Sequence, residues 1–552
     1  MEFVKKSIHL ITLRQTNILS AAFVIMAMTV FSQLLGLIRQ RLLVSHFGAY
    51  SNLGIYSTAT QIPDSLFQVI IAGGLASAFI PVFSDFYAKG KDDEAYRFAS
   101  STILIGMLVF AFFGLLLLFF TPYILLPANL GGHYSQAQMT LMANLVRVVI
   151  FAQLLIIVAS FFSAILQSYN RFLIPGFAAA MYNLGIILGI VLFSHTYGIF
   201  APAYGAIIGA LFFAVVQIPL LRKLHFKFHP QLSLSAPGVK KFIHLMWPRT
   251  ISIAITQFGI LFTLPLISFL ADPGRNRIIF DFAQTLAFAP TVLFGQSIAQ
   301  AAFPVLSRER DRLDQFKLTF TTSFTQLLYV ILPFSVLFLV LRIPIVRLVY
   351  GAPRLDWNAT VLIGTTLACF TISIFSQALL YLVSRAFYAL HDTRTPLIVS
   401  FITTVLMLLL SLGFITYYQW GVAGIALAYS LASFLQLLIL FIILDHRIGG
   451  FFHSGLFISI GKIFTAAFFT GIALYIPIKL LDKLVFDTTH TINLLMLSGI
   501  SSFIGLLLYL LLTWLLNVKE AMLFIVAFKK IDTWKEVLFR SDETIDPKRL
   551  NT

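Results

Sequence analysis

The sequence predicts an all-α polytopic membrane protein, and three observations carry that prediction. Of the 552 residues, 59% are hydrophobic and only 11% are charged, whereas soluble domains run near ~25% charged. Mean hydropathy is +0.92. The apolar residues fall in repeated runs of about 20, the length that crosses a hydrocarbon core as helix, and the ten-residue alternating segments of a membrane barrel do not occur. A set of soluble domains is excluded for lack of polar surface. Disorder is excluded as well, because 57 Phe is the opposite of a disordered composition. The one cysteine, Cys369, rules out a disulfide framework and a cysteine-based metal site. It is expected to be a small core residue.

Fourteen spans follow in order: 17–38, 55–83, 98–122, 138–167, 173–195, 199–221, 242–271, 278–305, 316–341, 358–389, 396–418, 421–444, 458–480 and 491–516. The first 16 residues are polar and basic, with no cleavable leader pattern. Loops are short, so the positive-inside rule applies. Of 38 Lys and Arg, 27 fall outside the spans or toward their ends on the side of the N-terminus, nine on the other side, and the remaining two, Arg147 and Arg249, are assigned to neither side and lie within spans. Both termini are therefore expected in the cytoplasm. The net charge of +16 reads as this topological excess rather than as a nucleic-acid surface. Trp247, Trp357, Trp420 and Trp514 fall at span ends, as interfacial aromatics do.

A repeat divides the chain. Pro81-Val82-Phe83-Ser84 matches Pro304-Val305-Leu306-Ser307 at an offset of 223. Tyr197-Gly198 with Ala203 matches Trp420-Gly421 with Ala426 at the same offset, and Arg171 with Pro175 matches Asp392 with Pro396 at 221. The expected organisation is an N-lobe of six spans over residues 1–221, a cytoplasmic linker at 222–241 with five basic residues, a C-lobe of six spans over 242–444, an appended pair at 445–517, and a tail at 518–552. Six is even, so the lobes share one orientation about an axis along the membrane normal, and substrate is expected between them. In the tail, Ala527, Ile531, Trp534 and Leu538 share one helical face, the pattern of a helix lying on the cytoplasmic leaflet.

No Walker A, HExxH or GxSxG sequence is present. The chain is expected to be a transporter and not an enzyme, without cofactor or metal, and drawing on the membrane potential or an ion gradient. Polar groups inside spans are costly unless they face a cavity or each other, so they are the candidate substrate-binding set: Gln33 and Arg39 in span 1; Gln61, Asp64 and Gln68 in span 2; Arg147 in span 4; Arg249 and Gln257 in span 7; Gln284 and Thr285 in span 8. Pro63, Gly73, Gly74 and Pro290 are the candidate hinge positions, because proline frees backbone groups and glycine permits bending or close approach. Structural roles compete for several of these. Arg39 and Arg249 lie near span ends and fit snorkelling, Asp64 fits an interhelical partner as well as a coupling group, and the glutamines fit interhelical hydrogen bonding.

The stretch Ser32 with Gly36-Leu37-Ile38-Arg39, then Phe47-Gly48-Ala49, Ile62-Pro63, Gly73 and Ala78-Phe79-Ile80-Pro81 resembles the MurJ/MviN family, the lipid II flippases of the MOP exporter superfamily. Pro290 through Pro304-Val305-Leu306-Ser307-Arg308 resembles the family's span 8, and Arg385 through Pro396 its span 10–11 loop. The resemblance implies two six-helix lobes, a central cavity, and alternating access that turns a polyprenyl-pyrophosphate-linked peptidoglycan precursor from the inner to the outer leaflet of the bacterial cytoplasmic membrane. It also implies a groove for the lipid tail formed by spans 13 and 14. This chain departs from the family at its cavity charges. The family's arginines fall on Gln33, on Phe67 and Gln68, and on Thr285, and its acidic residues on Gln40, Gly54 and Ala72; Arg39 is retained. The expected partners are a lipid-linked glycan and membrane lipids, with the protein a monomer. The alternatives are a flippase for another lipid-linked oligosaccharide of the O-antigen or capsule type, a small-molecule or multidrug exporter of the same superfamily, and a non-transporting cell-wall scaffold.

Overall fold

The computed structural model describes residues 18–521 apart from 73, 126, 452–453 and 485–490. Gly73, Trp534 and the rest of the expected tail helix lie outside the described residues, as does the side chain of Arg249. The regular structure of the described residues is helical, with no strand among them. Ten helical stretches are long and apolar enough to cross a membrane, and one of them, Leu173–Lys223, covers both expected spans 5 and 6.

By packing, the chain forms two compact units, one running through Arg275 and the other starting at Asn276. The first holds α1 (Ile18–Phe47), α2 (Ser51–Phe67), α3 (Ile80–Ala88), α4 (Asp92–Ile124), α5 (Gln136–Ser168), α6 (Leu173–Tyr197), α7 (Ala201–Val215), α8 (Ile218–Lys223), α9 (Val239–Leu261) and α10 (Thr263–Ser268). Local chemistry sets several of these ends. Ser135 Oγ accepts from the Gln138 amide at 3.3 Å while Gln138 Oε1 accepts from the Ser135 amide at 2.8 Å, a capping box that starts α5. The helices α6 and α7 meet through two facing glycine pairs. A Cβ on Gly185 would lie 2.2 Å from Gly209 Cα, and one on Gly189 would lie 2.3 Å from Gly205 Cα. Small residues four apart on both helices let the backbones touch, which is how membrane helices gain packing without a hydrophobic drive.

Residues 222–241 lie along α3 and α4. Ser101 Oγ donates to the Gln231 carbonyl at 2.9 Å, the His229 amide donates to Ser100 Oγ at 2.9 Å, and His229 approaches Asp93 at 3.4 Å. Lys241 stands 3.8 Å from Asp85. A hydrogen bond from Lys89, with the charge of Lys241 behind it, holds the Asp85 carboxyl below the ordinary carboxylate range. The span that follows, α9, packs on α2's continuation, where Phe242 meets Phe79 and Phe98 edge-on.

The second unit holds α11 (Pro273–Pro290) beyond its first turn, α12 (Ser297–Glu309), α13 (Leu313–Val340), α14 (Arg342–Tyr350), α15 (Trp357–Ala389), α16 (Arg394–Thr416), α17 (Gly421–Arg447), α18 (Ser454–Leu484) and α19 (Thr491–Leu515). Here α15 and α17 are joined by Gln377 Nε2 donating to Ser433 Oγ at 2.8 Å and Ser430 Oγ donating to the Cys369 carbonyl at 2.7 Å. The appended spans dock on α13, with Tyr509 Oη donating to the Tyr329 carbonyl at 2.9 Å and Leu474 packed on Leu337 and Leu341.

Spans 2 and 8 are not regular helices. In span 2, α2 contains Pro63 and passes into π-helical turns at Gln68–Ala72 and Leu75–Phe79 before α3. In span 8, α11 ends at Pro290 and passes into a π-helical turn at Thr291–Gln296 before α12. The two π turns start 223 residues apart, at 68 and 291, the offset found in the sequence. Wide turns of this kind are rare overall and are frequent at functional sites.

Candidate functional site

The polar residues of span 2 are carried by α2, whose Pro63 lacks the N–H that a helix interior needs. Pro63 and Ser65 are buried, whereas Asp64 between them is exposed. Gln61 Nε2 donates to Ser65 Oγ at 3.2 Å along the same helix. Asp64 is met from α5, where Gln153 Nε2 donates to its Oδ1. Gln153 is 2% exposed, and its Oε1 is buried without a hydrogen-bond partner among the described residues.

Arg39, in the last third of α1, is half-buried. Its Nε is buried and has no hydrogen-bond partner among the described residues. Its charge acts on Asp64 and on two tyrosines, Tyr56 of α2 and Tyr182 of α6. Beside Tyr182, Asn183 Nδ2 donates to both the carbonyl and the hydroxyl of Ser32, each at 3.2 Å, tying α6 to α1. One guanidinium, one carboxylate, a buried amide and two phenols thus converge from α1, α2, α5 and α6. Sequence reasoning singled out Arg39 and Asp64 but missed Gln153, Tyr56, Tyr182 and Asn183. The signal for Gln153 and for the Tyr182-Asn183 pair was available, since each is polar in the middle of an apolar run.

Gln33 and Gln68 are exposed. Arg147 is exposed, and its NH1 donates to Asn144 Oδ1 at 3.0 Å, one turn back on its own helix. Gln257 on α9 and Gln284 on α11 are half-buried, Thr285 is exposed, and Pro290 is buried. Gly74 sits between the two π turns of span 2, where a Cβ would meet Met246 Sδ of α9 at 2.6 Å. Its role in the structure is close approach.

Span 8 carries an ion pair that sequence reading did not join. Arg277 NH2 lies 3.0 Å from Asp281 Oδ1, with the two side chains 4% and 18% exposed. Their i,i+4 spacing places them on one face of α11. Nearby, Tyr350 Oη donates to the Phe282 carbonyl at 3.2 Å and stacks on Phe282. Among the described residues no three His, Cys, Asp or Glu side chains form a metal-ligating group.

The position at which the resemblance puts an acidic residue, Gly54, is filled by backbone. A Cβ there would lie 1.6 Å from the Gly274 carbonyl oxygen.

Comparison with known proteins agrees with this architecture. The family model described as lipid II flippase MurJ matches residues 43–495. A probable lipid II flippase MurJ of Buchnera aphidicola subsp. Schizaphis graminum is 26% identical over 429 residues, covering 77% of this chain and 83% of that protein. Among solved structures, a lipid II flippase MurJ in an inward closed conformation matches with a TM-score of 0.72 at 23% identity, over 89% of this chain and 98% of that one. An inward-facing multidrug resistance MATE transporter of the MOP superfamily matches with a TM-score of 0.65 at 14% identity, over 78% of this chain and 98% of that one. The chain is a multi-pass helical membrane protein and belongs to the MurJ lipid II flippase family.

Proposed function

We propose that this chain carries lipid II across the bacterial inner membrane, from the inner to the outer leaflet, by alternating access. It is a transporter, and its substrate is a lipid-linked glycan with an anionic headgroup. The observation that carries the reading is Arg39, a half-buried guanidinium whose buried Nε has no partner among the described residues. A planar guanidinium suits a pyrophosphate, which it can grip with paired charge-assisted hydrogen bonds. Family membership supports the same substrate. In this reading Gln33, Gln61, Gln68, Gln257, Gln284 and Thr285 supply neutral hydrogen bonds to the headgroup, and Pro63, Gly74 and Pro290 mark where spans 2 and 8 flex. Arg147 and Arg249 are further cations available to the phosphates. Both termini face the cytoplasm, the protein works as a monomer, and the membrane potential or an ion gradient drives the cycle.

The test is genetic. Expression of this chain in a strain depleted of its lipid II flippase should restore growth and normal shape. Absence of rescue by well-expressed, membrane-inserted protein would defeat the lipid II reading. The uncharged Gln33, Gln68 and Thr285 favour one second reading, a flippase for a different polyprenyl-linked glycan. That reading gains if rescue is absent while a strain lacking an O-antigen or capsule flippase is restored.

A further inference from the structure

Two glutamines are buried in the first unit, and their surroundings differ. Gln217, fully buried, uses its whole amide. Its Oε1 accepts from Ser163 Oγ at 2.9 Å, and its Nε2 donates to the carbonyls of Ala159 at 3.0 Å and Phe213 at 2.9 Å. This is the usual condition of a buried polar group. Gln153 is as buried but half used, with Nε2 on the Asp64 carboxylate and Oε1 on nothing described. This arrangement is the one that an ionised Asp64 selects, since a carboxylate only accepts. Once protonated, the carboxyl becomes a donor, and rotation of the Gln153 amide turns the idle Oε1 toward it. The pair therefore has two complete hydrogen-bonding states that differ by one proton.

The charge that acts on this state is Arg39. The groups facing Asp64 are few. Arg39 comes from α1, Tyr56 from α2, the helix of Asp64 itself, Tyr182 from α6, and the neutral Gln153 from α5. Arg147, also on α5, is exposed and bonds Asn144. On α9 the described ionisable side chains, Lys240, Lys241 and His244, are exposed in its first two turns. On α4 the acidic first turn is engaged with Lys91, Arg97 and His229. The nearby cation is thus Arg39 alone among the described residues. An anion on Arg39 cancels that charge and adds negative charge beside the carboxylate, which then takes a proton from water.

We infer that Asp64 and Gln153 form a proton-binding switch linked to anion binding at Arg39, loading one proton as the anionic headgroup binds and releasing it as the headgroup leaves. The switch rests on the reading of Arg39 as the headgroup contact. By linkage the effect is reciprocal, so the proton also strengthens anion binding.

The experiment uses the full chain in lipid nanodiscs, with farnesyl pyrophosphate as the probe, followed by infrared difference spectroscopy. Acid titration without probe should raise the carbonyl stretch of a protonated carboxylic acid in wild type. That band should be missing in Asp64→Asn and shifted in Gln153→Ala. Adding the probe at neutral pH should raise the same band. Binding of labelled probe should weaken by up to about tenfold per pH unit above the titration midpoint in wild type, and stay flat in Asp64→Asn. Identical acid titrations in wild type and Asp64→Asn would overturn the switch. So would labelled probe that binds without raising the band, or a band that sodium ions erase where choline does not, which would assign the site to sodium. If labelled probe fails to bind wild type at any pH, the headgroup reading of Arg39 falls, and the acid titration still reports on Asp64 by itself.

Discussion

In span 2, the π turn that starts at Gln68 follows a stretch where Asp64 meets Gln153 and feels Arg39. In span 8, the π turn that starts at Thr291 follows the Arg277–Asp281 ion pair. Its first residue is satisfied at once, since Thr291 Oγ1 donates to the Ile374 carbonyl at 3.1 Å. The same turn is also packed without slack, for a Cβ on Gly295 would lie 2.6 Å from Ala378 Cα. The backbone device is duplicated, and the chemistry around it is not. Span 2 sets its carboxylate against the neutral Gln153 of α5, whose Oε1 has no partner among the described residues, whereas span 8 pairs its carboxylate with a guanidinium on its own helix. Repeated architecture thus tells where a helix bends, and the partner each charge meets tells how the two bends differ.

The largest expected effect tests the span 2 side. Arg39→Ala should abolish rescue of a flippase-depleted strain while the protein still reaches the membrane, and unimpaired growth would show that Arg39 merely snorkels. On the span 8 side, Asp281→Leu leaves Arg277 buried against an apolar group. It should cost about 3–5 kcal/mol of stability, measured by thermal unfolding in detergent, and Arg277→Met together with Asp281→Leu should recover most of that loss. If the single change is harmless, the pair is not structural and the contrast between the spans collapses. Gly209→Val should destabilise by about 1–3 kcal/mol through overpacking of α6 on α7, with no specific change in probe affinity. Smaller still is Thr291→Val, which removes one hydrogen bond worth about 1 kcal/mol. Growth should be retained, and its loss would mean that the second π turn carries more than packing.

A pH effect unrelated to transport should come from the α15–α16 loop. Burial pushes the Asp392 carboxyl up, but hydrogen bonds from Thr395 and from the Arg394 amide, with the charge of Arg447, outweigh it and hold the group below its ordinary value. A carboxyl so depressed contributes stability above the ordinary carboxylate range and loses it as pH falls through the depressed value. Wild type should therefore lose stability on acidification through that window, and Asp392→Asn should lack that component. Equal acid sensitivity in both would assign the effect elsewhere.

Much of the fold was legible in the residues. Apolar runs of about 20 residues located the helices, because the bilayer tolerates little else. Pro63, Gly74 and Pro290 marked the irregular spans, since each either removes a backbone donor or permits contact closer than a Cβ allows. The π turns themselves were not legible. Their width depends on what packs against them, such as Met246 on Gly74. The site was half legible for a similar reason. Arg39 and Asp64 stand out as charges in apolar sequence, but Gln153 matters only because it faces Asp64, a contact that joins residues 89 apart. The Arg277–Asp281 pair carried a readable i,i+4 spacing, and a topological count that put Arg277 outside the spans hid it.

Gly54 and Gly274 each pack against backbone so closely that neither tolerates even a methyl group: a Cβ on Gly274 would lie 2.5 Å from the Ser51 carbonyl oxygen, and one on Gly54 1.6 Å from the Gly274 carbonyl oxygen. A carboxylate at position 54 therefore requires a different path for the residues around 274, and introducing the acid alone meets a wall of main chain. Negative charge in this region is accommodated only together with a change in that neighbouring backbone, or at another position.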